Sequence, residues 1–229
     1  MSGQEAVDEK SNEITSIPAL LKLLFIKDCV VTIHAMGCQK AIVDTIIGRG
    51  TDYVLMVKDN QRELKEQVEK VLSISCKTNS DKEPDTGHGR IEKWDCIVTD
   101  ELTFLDGKEE WPGLKSIAKV TSERTDKQSG KTSTQNRYYI SSLPAKAKVI
   151  NKAVRSHWAV ENNLHWVLDV IFKEDGALKK KGNPALNYNI IAKMAITTID
   201  NEKETKKSKP NKRMLAALDD DYRSKILKC

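Results

Sequence analysis

Apolar positions in the first third of the chain alternate between helical and strand periods. Leu20, Leu21 and Leu24 form a stripe behind Ser16-Ile17-Pro18, where serine suits a helix cap and proline a first turn. Cys29-Val30-Val31-Thr32-Ile33 is a short β-branched run, as expected of a strand buried on both faces. After His34-Ala35-Met36-Gly37, a helix carries Ile42, Val43, Ile46 and Ile47 on one side and stops at Gly48 or Gly50. Residues 52–57 read as the next strand, and 61–72 as a charged helix with Leu64, Val68, Val71 and Leu72 apolar. Strand, helix and strand with a short return imply a parallel pair and a right-handed crossover.

Residues 73–89 are polar and rich in Ser, Asp and Gly, and read as a loop. The pattern then turns to strands, over 91–98, 116–120 and 138–141, with 126–131 as a hairpin turn. Pro144 introduces a long helical stretch over 146–172, Gly182-Asn183-Pro184 breaks it, and a second helix covers 185–199. No internal repeat is visible. The layout is an α/β piece, a β insertion and a helical end.

Composition narrows the class. A chain of 229 residues that is 39% hydrophobic has enough apolar material for a globular core and is not an intrinsically disordered sequence. Its 38 basic and 33 acidic residues leave a net charge of +5, which permits a polyanion partner without requiring one. The basic residues cluster, at Lys179, Lys180 and Lys181 and again at Lys203, Lys206, Lys207, Lys209, Lys212 and Arg213. Either run alone is most simply a solvated surface. Five cysteines, scattered and without a Cys-x-x-Cys pair, fit a reducing compartment better than a disulfide framework or zinc site. The polar, acidic start is no signal peptide, and no apolar run reaches membrane-spanning length. A cytoplasmic protein with no membrane partner is expected.

Several segments, taken together and in order, carry a resemblance. They are Asp8-Glu9-Lys10-Ser11-Asn12-Glu13-Ile14, Ala35-Met36-Gly37-Cys38-Gln39, Asp52-Tyr53-Val54-Leu55, Gly87-His88-Gly89-Arg90-Ile91-Glu92 and Arg137-Tyr138-Tyr139-Ile140-Ser141-Ser142-Leu143-Pro144. The strongest is His157-Trp158-Ala159-Val160-Glu161-Asn162-Asn163-Leu164-His165-Trp166-Val167-Leu168-Asp169-Val170. The set resembles the H-repeat-associated transposases of bacterial insertion sequences, a branch of the DDE transposases. The resemblance implies an α/β fold: an incomplete RNase H-like core, a mixed sheet with flanking helices, a β-rich inserted subdomain and a helical carboxy-terminal part. The expected divisions are a partial core at 1–72, the β insertion at 73–144, a helical remainder of the core at 145–200 and a basic tail at 201–229.

The same resemblance implies chemistry. Such enzymes hold two Mg²⁺ ions with three carboxylates and cleave and join DNA. Laid on that pattern, Glu161 occupies the third acid position, as a vestigial catalytic and metal-binding residue. His34 stands where the second Asp should follow Val31-Thr32-Ile33, and the first Asp is expected upstream of residue 1. One of three acids is then kept, and an imidazole supplies no negative charge to offset a second Mg²⁺. Asp59 also replaces the family's usual Gly in Lys58-Asp59-Asn60-Gln61, at a turn where a positive φ would favour Gly. The resemblance therefore implies a transposase remnant without productive Mg²⁺ binding. With the strands before Cys29 missing, the 29–33 strand would be an open apolar edge prone to self-association.

Other residues divide between functional and structural readings. His157 and His165 each lie four residues from Glu161, and Asp169 eight, which would place all four on one helical face. Without the resemblance, that face is best read as ordinary polar packing. Trp158 and Trp166 read as core anchors. His88, Arg90, Arg137 and the Lys179, Lys180 and Lys181 run are the candidate DNA contacts. Two alternatives to an inert remnant remain: a DNA-binding or interaction module kept after loss of chemistry, and a new metal site built on His34 or on His157, Glu161 and His165. The basic clusters generate a prediction that separates the first of these. Binding to DNA should be weak, independent of sequence, and fall steeply with rising salt in a gel-shift series, because counterion release dominates such contacts. Neutralising Lys206, Lys207 and Lys209 should weaken binding to all sequences equally. A sequence preference that survives physiological salt would instead support the retained module.

Overall fold

The fold is described from a computed structural model, which covers residues 13–87, 90–160, 164–173 and 183–228. The chain divides into two compact units, residues 1–157 and 158–229. The first begins with helix α1 (Glu13–Leu23), strand β1 (Val30–Ile33), α2 (Lys40–Gly48), β2 (Asp52–Val57) and α3 (Arg62–Ile74). Strands β3 (Asn79–Gly87), β4 (Arg90–Thr99), β5 (Ser116–Asp126) and β6 (Thr132–Ser141) follow, then α4 (Ala147–Val160). Among the described residues these strands form one six-stranded sheet in the order β1-β2-β6-β5-β4-β3. β1 and β2 are parallel, in the register Thr32 opposite Val54, and the other neighbours are antiparallel. The sheet is therefore mixed, as an α/β reading expects. β1 lies at one edge and is only partly covered, with Val30 41% exposed, so it is not the doubly buried strand its β-branched run suggested.

Strand parity assigns the faces. Tyr53, Leu55 and Val57 of β2 share one face with Ile117 and Ile140, and form a core with Ile42, Val43 and Ile46 of α2 and Leu64, Val68 and Val71 of α3. The opposite face carries Val54, Tyr139, Ala118, Val120, Cys96, Val98 and Trp94, all buried. Asn79, Asp81 and Glu83 of β3 stand on this second face by register, opposite Val98, Cys96 and Trp94, and Thr32 of β1 stands there opposite Val54.

Helix α4 serves this second face with a buried stripe of Ala147, Ile150 and Val154. Its polar groups reach both edge strands. On the β3 side, Ala147 N donates to Asn79 Oδ1 at 2.8 Å, Asn151 Nδ2 donates to Asp81 Oδ2 at 2.8 Å, and Arg155 pairs with Glu83. On the β1 side, His157 meets Thr32. Residues 151 and 157 of a helix are separated by only about 9 Å along its axis. Six strands laid flat span about 24 Å. Side chains reaching out from opposite sides of this one helix therefore bond to both edge strands of the sheet.

The polar stretch expected as a loop over 73–89 contains β3. Alternation failed as a signal because this edge strand meets charged partners from α4 rather than an apolar core, and Pro84 is tolerable on an edge. Likewise, α1 begins before Ser16, so Pro18 lies inside the helix instead of in a first turn capped by Ser16. The hairpin turn expected over 126–131 is present: Asp126 N donates to Lys131 O at 3.0 Å, and Gly130 has φ +67°.

The second unit holds a widened π-type turn at Val167–Ile171 and helices α5 (Asn183–Asn201), α6 (Lys209–Leu218) and α7 (Asp220–Ile226). Val167 and Leu168 pack with Ala192 and Ile196. Trp166 is 52% exposed, not the core anchor expected. The π-type turn departs from the 3.6-residue period on which the shared face of His157, Glu161, His165 and Asp169 was counted.

The stretch read as a basic tail carries α6 and α7, and some of its cations are structural. Lys209 pairs with Asp200 at 2.8 Å, while Arg213 lies over the Phe172 ring, 4.7 Å from its centroid. Glu202 is buried, 2.8 Å from the Lys212 ammonium, and accepts from Thr205 N at 2.8 Å and Tyr222 Oη at 3.2 Å. The Lys212 hydrogen bond, helped by Thr205 and opposed by burial, holds the Glu202 carboxyl at about 2, down from 4.5. A carboxyl depressed on folding stabilises above its unfolded value and loses that contribution as pH falls through its folded value. The Glu202 contribution should thus be full above pH 4.5 and fade toward pH 2. Glu202→Gln should lower the melting temperature at neutral pH and flatten its decline across that window, as followed by circular dichroism. Parallel declines in the two proteins would show that this carboxylate does not control the acid limb.

Candidate functional site

β1 ends in a fixed turn. Its alternation sends Val31 and Ile33 into the apolar core and leaves Thr32 on the α4 face, with His34 next in the same parity. His34 has φ −58° and ψ 164°, and its carbonyl accepts from Gly37 N at 2.9 Å to open a 3₁₀ turn over Ala35–Gly37. The turn after β2 clamps it: Asn60 Nδ2 donates to Ala35 O at 2.8 Å and Gln61 Nε2 to Cys38 O at 3.0 Å. Asp59 begins a 3₁₀ turn and pairs with Lys65 at 3.2 Å. It is not one of the positive-φ residues, so the exchange of the family's Gly brings no left-handed strain there.

Gly37 lets the turn close on the strand. A Cβ there would stand inside van der Waals contact of Ile33 Cγ2, 3.1 Å from Ile33 Cβ and 3.4 Å from Ile17 Cδ1. Ile33 is β-branched and stiff at χ1, so it has little freedom to yield. Cys38, next in sequence, is fully buried, and desolvation pushes its thiol up to about 12, which makes it an inert packing group.

Helix α4 brings His157 to this strand end. Its Nδ1 lies 3.1 Å from Thr32 Oγ1, and its Nε2 lies 3.4 Å from Nδ1 of the exposed His34. The rings meet edge to face, with centroids 4.6 Å apart and planes at 69°. The described donors at the site are thus two imidazoles and a hydroxyl. Among the described residues, no three His, Cys, Asp or Glu side chains gather closely enough to hold a metal ion. Mg²⁺ prefers an octahedron of hard oxygen ligands, which this set does not fit.

Glu161, His88 and Lys179, Lys180 and Lys181 lie outside the described residues. Arg90 opens β4, with its backbone in register with Gly87 and Asp126. Arg137 lies in β6 and donates to Ser122 Oγ at 2.9 Å and to Gln135, within the β5–β6 ribbon. Thr32 went unnoticed in the sequence, and so did the approach of His157 to His34. The available signal was parity, since positions 32 and 34 share a strand face.

Over residues 1–198 the sequence matches the family described as the Transposase DDE domain, and the chain belongs to that family. It is 38% identical to YbfL of Escherichia coli strain K12 and 38% identical to YhhI of that strain, named "H repeat-associated putative transposase". Each alignment covers 98% of this chain and 61% of the relative. An uncharacterized protein from the dhlA 3′ region of Xanthobacter autotrophicus is 39% identical over 62% of this chain and 48% of its own length. The chain thus spans about three fifths of the first two relatives' length. Among the described residues, no helix is long and apolar enough to cross a membrane.

The packing around Gly37 generates a prediction. Gly37→Ala should cost about 1–3 kcal/mol of stability, the usual penalty for overpacking. It should also displace Ile33, and with it His34. Chemical denaturation measures the first effect and histidine NMR resonances the second. Unchanged stability together with unmoved His34 signals would show that the strand end tolerates a Cβ.

Proposed function

We propose that this chain is a remnant of a DDE transposase, whose ancestral activity was metal-dependent DNA cleavage and strand transfer, and that it is catalytically inactive. Residues 1–72 correspond to a partial RNase H-like core, 73–144 to the β-rich insertion, 145–200 to the helical remainder with Glu161, and 201–229 to the basic end. The ancestral partner is insertion-sequence DNA, and the DNA held here is bound weakly and without sequence preference, through His88, Arg90, Arg137 and the Lys179 to Lys181 run.

The observation that carries this reading is the pairing of His34 with His157 at 3.4 Å. Position 34 directly follows the edge strand β1 and meets His157 of the helix whose His-Trp-x-x-Glu sequence leads to Glu161. In the ancestral arrangement, acids at such positions would hold two Mg²⁺ ions, which activate the attacking oxygen and stabilise the leaving one. At position 34 this chain offers imidazole, which brings no anionic charge to the pair. His34 and His157 instead hold each other, with Thr32 orienting the second ring. Glu161 remains as a vestige of the third acid and does not by itself assemble a two-metal centre.

The expected outcome is no Mg²⁺- or Mn²⁺-dependent nicking or strand transfer by purified protein on DNA substrates. His34→Asp alone should not restore it, because two carboxylates still leave the metal pair short of ligands. Cleavage by the unmodified chain that disappears in Glu161→Gln would overturn this reading.

A further inference from the structure

The His34–His157 pair that fits Mg²⁺ poorly fits a different class of ion well. We infer that His34 Nδ1 and His157 Nε2 form a two-histidine site for a borderline-soft divalent cation such as Zn²⁺ or Co²⁺, at the end of β1. The inference rests on geometry alone and holds whether or not the chain cleaves DNA.

Three observations carry it. The first is separation: the two nitrogens stand 3.4 Å apart. Two nitrogens each about 2.1 Å from a tetrahedral zinc are about 3.4 Å apart, so the spacing suits a shared ion once the rings turn from their edge-to-face contact to aim both in-plane lone pairs at it. A separation of 3.4 Å is also long for a hydrogen bond, so little is lost in replacing it.

The second is orientation. Thr32 Oγ1 lies 3.1 Å from His157 Nδ1, and in the tautomer that carries its proton on Nδ1 the Nε2 lone pair is left on the side of His34. Such an outer partner sets the tautomer of most metal-ligating histidines. His34 need only carry its proton on Nε2 for both facing nitrogens to present lone pairs.

The third is support and access. Thr32 is held in the β1–β2 ladder, the turn after His34 is clamped by Asn60 and Gln61, and His157 lies on α4, which is anchored to β3 through Asn151 and Arg155. His34 itself is exposed, so a cation can reach the pair from solvent. Imidazole favours Zn²⁺, Co²⁺, Ni²⁺ and Cu²⁺ over Mg²⁺ by ligand softness. The site thus has the place of the ancestral metal centre with the opposite metal preference.

The test is titration of the full chain with Zn²⁺ by calorimetry, and with Co²⁺ by visible absorption, in the presence of excess Mg²⁺. Two protein ligands supply about half the binding free energy of a four-ligand zinc site, so one ion should bind with Kd on the order of 10 µM. His34→Ala and His157→Ala should each weaken binding at least ~10-fold, and Thr32→Val should weaken it with the ring unheld. Replacing the exposed Cys29 and Cys76 by serine should leave it unchanged. If the histidine variants fail to fold, ¹⁵N-histidine NMR of the unmodified chain decides: Zn²⁺ should shift the His34 and His157 ring nitrogens and leave those of His165 in place. Binding that survives loss of both histidines, is abolished by the cysteine replacements, or is displaced by Mg²⁺ would overturn the assignment.

Discussion

One helix bonded to both edges of one sheet is the constraint from which the first unit follows. β3 and β1 are the two edge strands, and each meets α4, through Asp81 and Glu83 on one side and Thr32 on the other. Open edges invite pairing with other chains, and a covering helix is one of the ways proteins blunt them. The buried stripe of α4 packs on one face, while its polar groups bond to side chains of both edge strands. The opposite face needs no such device, because α2 and α3 cover it with ordinary aliphatic packing.

That arrangement also produces the site. A helix that must reach β1 delivers whatever its last turns carry to the carboxy-terminal end of that strand. In this chain it delivers His157, and the strand offers Thr32 and His34. Geometry and chemistry have separate origins there: the sheet and helix fix where two side chains meet, and the residue types decide which ion, if any, they can hold. Membership of the Transposase DDE domain family does not by itself determine the second, which depends on what occupies position 34.

Much of the first unit was readable in the sequence because its elements obey simple periods. The strand over 52–57 and the stripe of α2 were evident from their apolar spacing, and the parallel pairing of β1 with β2 followed from the short helical crossover. The hairpin turn at 126–131 was evident from its residues. β3 was hidden because its partners are charged and distant: Arg155 is 72 residues from Glu83. The helices of the last thirty residues were hidden for a related reason. A run of lysines looks solvated unless one knows that Lys212 is buried against Glu202. At the site, the resemblance drew attention to His34, but nothing local could reveal that an imidazole 123 residues away would face it. The fold was legible where stabilisation is local, and illegible where polar groups are paired across the chain.

The position of α4 in the chain has a consequence for synthesis. It is the last element of its unit, and its bond to Thr32 spans 125 residues. At roughly 5–20 residues per second, a ribosome takes about 6–25 s to make the chain between them. During that interval β1 and β3 can be formed and paired on their inner sides, yet the helix that bonds to both has not been made. Non-local closures of this kind are slow even in a finished chain, because the loop entropy is lost before the contacts form. The helix that guards both edges is thus made after both have been exposed, and the hazard to this protein is greatest while it is still being made.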